Sequence, residues 1–166
     1  MTDTALTFSA AFAAAVTGEP DYDKLREISS TLVPFGNHAG IEITGIAPER
    51  AVVEIPDEPH LRNHLNTVHA GAQFLAADIA GACAFVGAVA PALSTVDMLV
   101  LRTAGSAFRK PAIGRIRAVA TVDERDARAI IAGGGGRFDL DGRAHLYDEK
   151  DVLVAKFTFE YVCTTS

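Results

Sequence analysis

The sequence has no tryptophan, and its two cysteines, Cys83 and Cys163, lie far apart. Two such cysteines form neither a disulfide framework nor a paired-cysteine metal motif, so the chain reads as a protein of a reducing cytosol, with Cys83 as helix packing. Basic charge is also scarce. Fifteen Lys and Arg stand against 21 Asp and Glu, a net charge of −6, which excludes a broad nucleic-acid footprint and leaves only local spots such as Arg109-Lys110. The run Gly133–Gly136 lacks both the dinucleotide and the P-loop patterns and reads as a flexible connection. The start, Met1-Thr-Asp-Thr, lacks the basic region of a signal peptide. No repeat or interdomain linker interrupts the chain, and at 166 residues it reads as one cytoplasmic domain.

What is present is one unusual stretch. From Ala70 to Val89 the only polar side chains are Gln73 and Asp78, with no proline. Eight alanines, Leu75 and two phenylalanines predict a helix, and a helix apolar on every side is a buried one. Its length would also suit a membrane span. Three glycines, the central carboxylate and the flanking strand patterns favour a core helix instead. Asp78 is the anomaly: a carboxylate in the interior is costly and has a raised pKa, so it has partners or it does chemistry.

Around this stretch the patterns are simpler. Residues 4–17 and 21–32 have helical composition, separated by Thr17-Gly-Glu-Pro20, and Leu25, Ile28 and Leu32 form one apolar stripe. Pro34-Phe-Gly-Asn interrupts. Ile41–Ile46 and Ala51–Ile55 alternate as strands joined by a turn, and an irregular loop runs to Val68. Ser94–Arg102, Ile113–Val122, Gly136–Tyr147 and Val152–Val162 are strand-like, with a helical turn over Asp126–Ala132 and a tight turn over Tyr147–Asp151. An antiparallel sheet wrapped on one all-apolar helix accounts for this order, and its open edge predicts a homodimer.

The run Asn63-x5-His69-x-Gly71-x6-Asp78, leading into a long small-residue helix, resembles hotdog-fold acyl-CoA thioesterases of the phenylacetate-pathway type. Thr95-Val-Asp-Met98 and Phe108-Arg-Lys-Pro-Ala-Ile-Gly114 resemble that group's third strand and the turn after it. The likeness covers about residues 38–163, leaving 1–37 as an N-terminal helical extension. It implies an α+β hotdog domain that hydrolyses an acyl thioester without metal or organic cofactor, CoA being part of the substrate, in a homodimer or a dimer of dimers. It also implies an oxyanion donor at the backbone N–H after the histidine, here Ala70. The family usually reads His-Gly-Gly where this chain reads His69-Ala70-Gly71. Alanine supplies the same N–H, but its methyl group narrows the approach to the substrate carbonyl.

The chemistry also follows from residue types. A thioester carbonyl needs a donor as it becomes an oxyanion, and a carboxylate must attack it or activate water. The N-terminus of the central helix offers unpaired N–H groups and the positive end of its dipole. Asp78, in an apolar setting, suits the base or nucleophile. Asn63 is a candidate for orienting the carboxylate or water, Thr95 for holding the water, and His69 for bonding near the carbonyl. Gly71, Gln73, Arg109 and Lys110 are candidate substrate contacts, the two cations for the CoA phosphates. Each has a plainer reading: His69 and Asn63 as cap and loop residues, Thr95 as a strand residue, Arg109-Lys110 as an exposed turn, Gln73 as a contact at the dimer seam. A non-catalytic acyl-binding module and a hydratase are the rival functions.

Spacing makes one further argument. Ala70 and Asp78 are eight residues apart, roughly 12 Å along one helix, whereas donor and attacking group must meet at one carbonyl within about 3–3.5 Å of the reacting atoms. One helix cannot supply both to one substrate. If both act, each site lies between two copies.

Overall fold

The computed structural model describes residues 6–166. Residues 4 and 5, at the start of the first expected helix, lie outside the described residues. That helix is shorter than its composition suggests: α1 spans Phe8–Phe12 and tightens into a 3-10 turn at Ala13–Ala15. Phe12 is buried and Phe8 packs edge-on to Phe85. The second helix, α2 (Tyr22–Leu32), starts where Asp21 accepts from the Lys24 N–H at 3.0 Å, a cap worth about 1 kcal/mol. It buries Leu25 and Ser29.

The proline at position 34 starts an element where an interruption was expected. Pro34–Ala39 is a short helix, α3, with proline in its first turn, where a missing N–H costs nothing, and Gly40 closes it in the left-handed conformation at φ 82°. Gly36 packs against Ile79 so closely that a Cβ would overlap it.

Strands β1 (Glu42–Ile46) and β2 (Ala51–Ile55) form the expected hairpin, closed by the Ala47 N–H donating to the Arg50 carbonyl at 2.9 Å. The loop to the central helix holds one 3-10 turn, Pro59–Leu61. The central helix, α4 (Ala70–Ala88), is followed by a 3-10 turn over Ala90–Thr95. Then come β3 (Val96–Phe108), β4 (Ile116–Val122), the capped helix α5 (Glu124–Ala132), β5 (Gly136–Tyr147) and β6 (Leu153–Thr165). The third strand runs six residues beyond the expected Arg102, because β6 pairs with it from Val96↔Thr165 to Phe108↔Ala155. Long-range pairing here overrides the weak strand pattern of Thr103–Ala107.

All strand pairs are antiparallel, in the order β1-β2-β4-β5-β6-β3. Alternate residues of β2 and β4, Ala51, Val53, Ile55, Ile116, Ala118 and Ala120, point at α4 and are buried. The sheet wraps the helix, which is the hotdog arrangement. α4 passes the length and composition test for a membrane span, yet 72% of its most apolar window is buried inside this fold, as in a core helix. Gly87 permits this closeness: a Cβ there would overlap the Ala47 carbonyl. β3 lies at one edge of the sheet, with Met98, Val100 and Phe108 exposed along it.

Candidate active site

The start of α4 is built by the loop before it. Asn63 Oδ1 accepts from the Leu65 N–H at 2.9 Å and the Thr67 N–H at 3.1 Å, and its Nδ2 donates to Thr67 Oγ1 at 3.0 Å. Asn66 takes φ 60°, which asparagine tolerates, and its side chain accepts from Arg62 at 3.2 Å. The His69 N–H donates to the Leu61 carbonyl at 2.8 Å, and the buried Gln73 donates from Nε2 to the Val68 carbonyl at 3.1 Å. Gln73 therefore braces the loop from behind. It does not reach the surface.

His69 is the N-cap. Its Nδ1 accepts from the Gly71 N–H at 2.8 Å, which assigns the proton of the neutral ring to Nε2. The imidazole is exposed, so Nε2–H is a donor turned outward. The Gln73 N–H takes up the His69 carbonyl at 3.1 Å. Among the described residues the Ala70 N–H has no acceptor, and Ala70 is exposed. An unspent backbone donor thus sits at the positive end of a 19-residue helix.

The basic turn stands beside this end. The Val68 N–H donates to the Ala112 carbonyl at 2.8 Å, and the Arg109 and Lys110 N–H groups both donate to the Val154 carbonyl. Their side chains are exposed and form no ion pair among the described residues.

Asp78 lies two turns further along α4, half-buried, with no hydrogen-bond partner among the described residues. Burial raises its carboxyl above the ordinary range. Its face of the helix carries Phe74 one turn before and Gly81 one turn after. Phe74 packs edge-on to Phe157 and Phe159, with ring centroids 5.8 and 6.5 Å away, and Phe108 packs edge-on to Phe157 at 5.7 Å. Asp78 is flanked by an aromatic surface that opens towards the β3 edge.

Asn63, His69, Ala70 and Gly71 therefore gather at one end of α4, with Arg109 and Lys110 beside them. Thr95 does not join them. It ends the 3-10 turn beyond the far end of α4, where its hydroxyl donates to the Ala92 carbonyl at 2.8 Å. A cleft of about 870 Å³ includes neither Asp78 nor Ala70; polar strand residues such as Thr103, Arg143 and Glu160 line it, together with the start of α5. Among the described residues no three His, Cys, Asp or Glu side chains are grouped to hold a metal ion. The aromatic residues of β6 escaped the sequence reading. Their signal was present, as phenylalanine and tyrosine at every second position from 157 to 161.

Residues 24–162 match a family described as "Domain of unknown function (DUF4442)". The chain belongs to that family. No curated protein matches it. Solved structures with the same fold include a Pseudomonas aeruginosa protein of unknown function described as a probable thioesterase, at TM-score 0.67 and 22% identity over 87% of this chain and 95% of that one. A putative thioesterase from Shewanella oneidensis superposes at TM-score 0.69 with 18% identity, covering 87% and 97% of the two chains. A putative esterase from Mycobacterium tuberculosis superposes at 0.65 with 16% identity, covering 81% and 98%. This DUF4442 chain shares with these structures the hotdog fold, a long central helix wrapped by an antiparallel sheet.

Proposed function

We propose that this protein is a thioesterase that hydrolyses an acyl-CoA or a related acyl thioester at a site shared by two copies. The observation that carries the reading is the pairing, on one helix, of an unspent N-terminal amide with an unpartnered, half-buried carboxylate, too far apart to serve one carbonyl from one chain. Two antiparallel copies of α4, related by a twofold axis, would bring the Ala70 end of one against the Asp78 of the other. The exposed β3 edge offers the sheet pairing for such a dimer.

In this arrangement Asp78 of one copy takes a proton from water, and the resulting hydroxide adds to the thioester carbonyl carbon. The carbonyl oxygen becomes an oxyanion held by the Ala70 N–H and His69 Nε2–H of the other copy. When the tetrahedral intermediate collapses, the C–S bond breaks, the leaving thiolate takes the proton that Asp78 removed from water, and the carboxylic acid is released with Asp78 again a carboxylate. A carboxylate raised towards working pH is a better proton acceptor than an ordinary one. Arg109 and Lys110, beside the amide end, suit the phosphates of a CoA carrier.

Ala70→Pro tests the donor with little disturbance. Proline is favoured at the first helical position, and the preceding His69, at φ −61° and ψ 141°, already has the backbone a proline requires of its neighbour. The variant should fold normally and lose roughly 100- to 1000-fold in kcat. Asp78→Asn should also be inactive. Refolded together in equal amounts, the two dead variants should regain about a quarter of wild-type activity, since each mixed dimer holds one intact site. Absence of any rescue would overturn the shared site. Tight acyl-CoA binding by wild type without turnover would favour a binding module, the reading that the Ala70 methyl supports.

A further inference from the structure

β6 presents Phe157, Phe159 and Tyr161 to α4, all buried, and their rings follow one another with centroids 6.2 and 5.8 Å apart. On the helix, Phe74, Asp78 and Gly81 occupy one face at the i, i+4, i+7 spacing. Phe74 rests on Phe157 and Phe159, and the slot left by Gly81 is filled by the Tyr161 hydroxyl, where any Cβ would overlap it. Asp78 therefore stands over the step from Phe159 to Tyr161. The Tyr161 hydroxyl is buried and, among the described residues, has no hydrogen-bond partner. An unpaired buried hydroxyl is unfavourable, and the Asp78 carboxylate, one helical turn before the Gly81 slot, is close enough for its charge to act on the phenol.

We propose that Tyr161 is a positioning residue for Asp78, its hydroxyl donating to the carboxylate directly or through one bound water. Burial and the neighbouring Asp78 charge push the phenol far up, so it stays protonated and acts only as a donor. The other titratable groups on these buried surfaces are Cys83 and, on the same inward face of β6, Cys163; burial pushes their thiols up to about 12 and about 11, so both remain neutral while Asp78 titrates. The inward faces of β2 and β4 contribute only alanine, valine and isoleucine, β5 adds leucine and alanine, and α2 adds Leu25 and Ser29. Tyr161 is thus the donor that keeps a desolvated carboxylate ionised and aimed. The catalytic meaning of this contact rests on the hydrolase proposal; its existence does not.

The test is a carbon-13 NMR titration of the Asp78 carboxyl in the full chain, in wild type, in Tyr161→Phe and with Tyr161 replaced by difluorotyrosine. Losing the donor should raise the Asp78 midpoint by about one pH unit, and the more acidic fluorinated phenol, which keeps the shape, should lower it. A midpoint unmoved by the fluorinated residue overturns the proposal, even if the phenylalanine variant fails to fold. The acid limb of kcat/KM for acyl-CoA should move with the midpoint. Shifted midpoints in a protein that hydrolyses no thioester would keep the Tyr161 contact and sink the hydrolase reading alone.

Discussion

The Gly71 N–H donates to His69 Nδ1 at 2.8 Å, and a Cβ on Gly71 would lie 3.0 Å from that same nitrogen. The cap and the absence of a side chain depend on each other. Where the hotdog thioesterases that this run resembles usually have two glycines after the histidine, this chain keeps only the second, and the contact supplies the reason. Ala70 turns its methyl to solvent; a methyl on residue 71 would press on the imidazole.

Gly71→Ala should therefore tilt His69, weaken the cap and misdirect Nε2–H. Losing a cap costs about 0.5–2 kcal/mol, so Tm should fall by several degrees and thioester hydrolysis should fall further than Tm alone explains. Ala70→Gly, one residue away, should leave the cap intact and ease access to the site. Thermal melts read beside acyl-CoA hydrolysis check both. A Gly71→Ala variant with full activity would remove the imidazole from the site.

Asn63 separates bracing from chemistry. Three of its bonds use the carboxamide oxygen as acceptor, from Leu65, Thr67 and the Thr67 hydroxyl. Asn63→Asp keeps that oxygen and should retain stability and activity to within roughly a few-fold, whereas Asn63→Ala leaves two loop N–H groups unpaired and should cost about 1–3 kcal/mol. Denaturant melts and kinetics on the two variants are decisive. Loss of activity in Asn63→Asp with stability kept would return the carboxamide N–H to the reaction itself.

Much of this was legible before any coordinates. The all-apolar run from Ala70 to Val89 fixes a buried helix because no other packing hides it, and alternation along 41–55 fixes the hairpin. Two features were hidden for physical reasons. Thr103–Ala107 carries too little β preference to announce a strand, and becomes one only because β6 supplies its hydrogen bonds across 49 to 57 residues of sequence. Pro34 reads as a breaker, and only the chain's turn onto Ile79 makes it the first residue of a helix. At the site, spacing alone predicted that Ala70 and Asp78 cannot meet within one chain, since helical rise is fixed. Within one chain Thr95 lies beyond the end of α4 opposite Ala70, because its place depends on where the 3-10 turn ends, which local sequence does not specify.

Asp78→Asn should make a dead enzyme more stable. Burial raises the Asp78 carboxyl above its unfolded value, so the native state holds its proton more tightly than the unfolded chain does. Stability linked to this group is complete below the unfolded carboxylate range and is lost as pH rises through the folded value, where a charge must be kept in apolar surroundings. Asparagine carries no charge at any pH. Its advantage over wild type should therefore be absent in acid, grow as pH rises through the Asp78 titration, and level off above it. Hydrolysis, which needs the carboxylate, should fall by about 100-fold or more above the Asp78 titration, and by less in acid, where wild type also loses its base. Urea melts of wild type and Asp78→Asn between pH 4 and 8 read the first effect, and a plate assay of released thiol reads the second. A stability difference that ignores pH would mean that the carboxylate is solvated when folded, and would remove the reason to assign it the proton transfer.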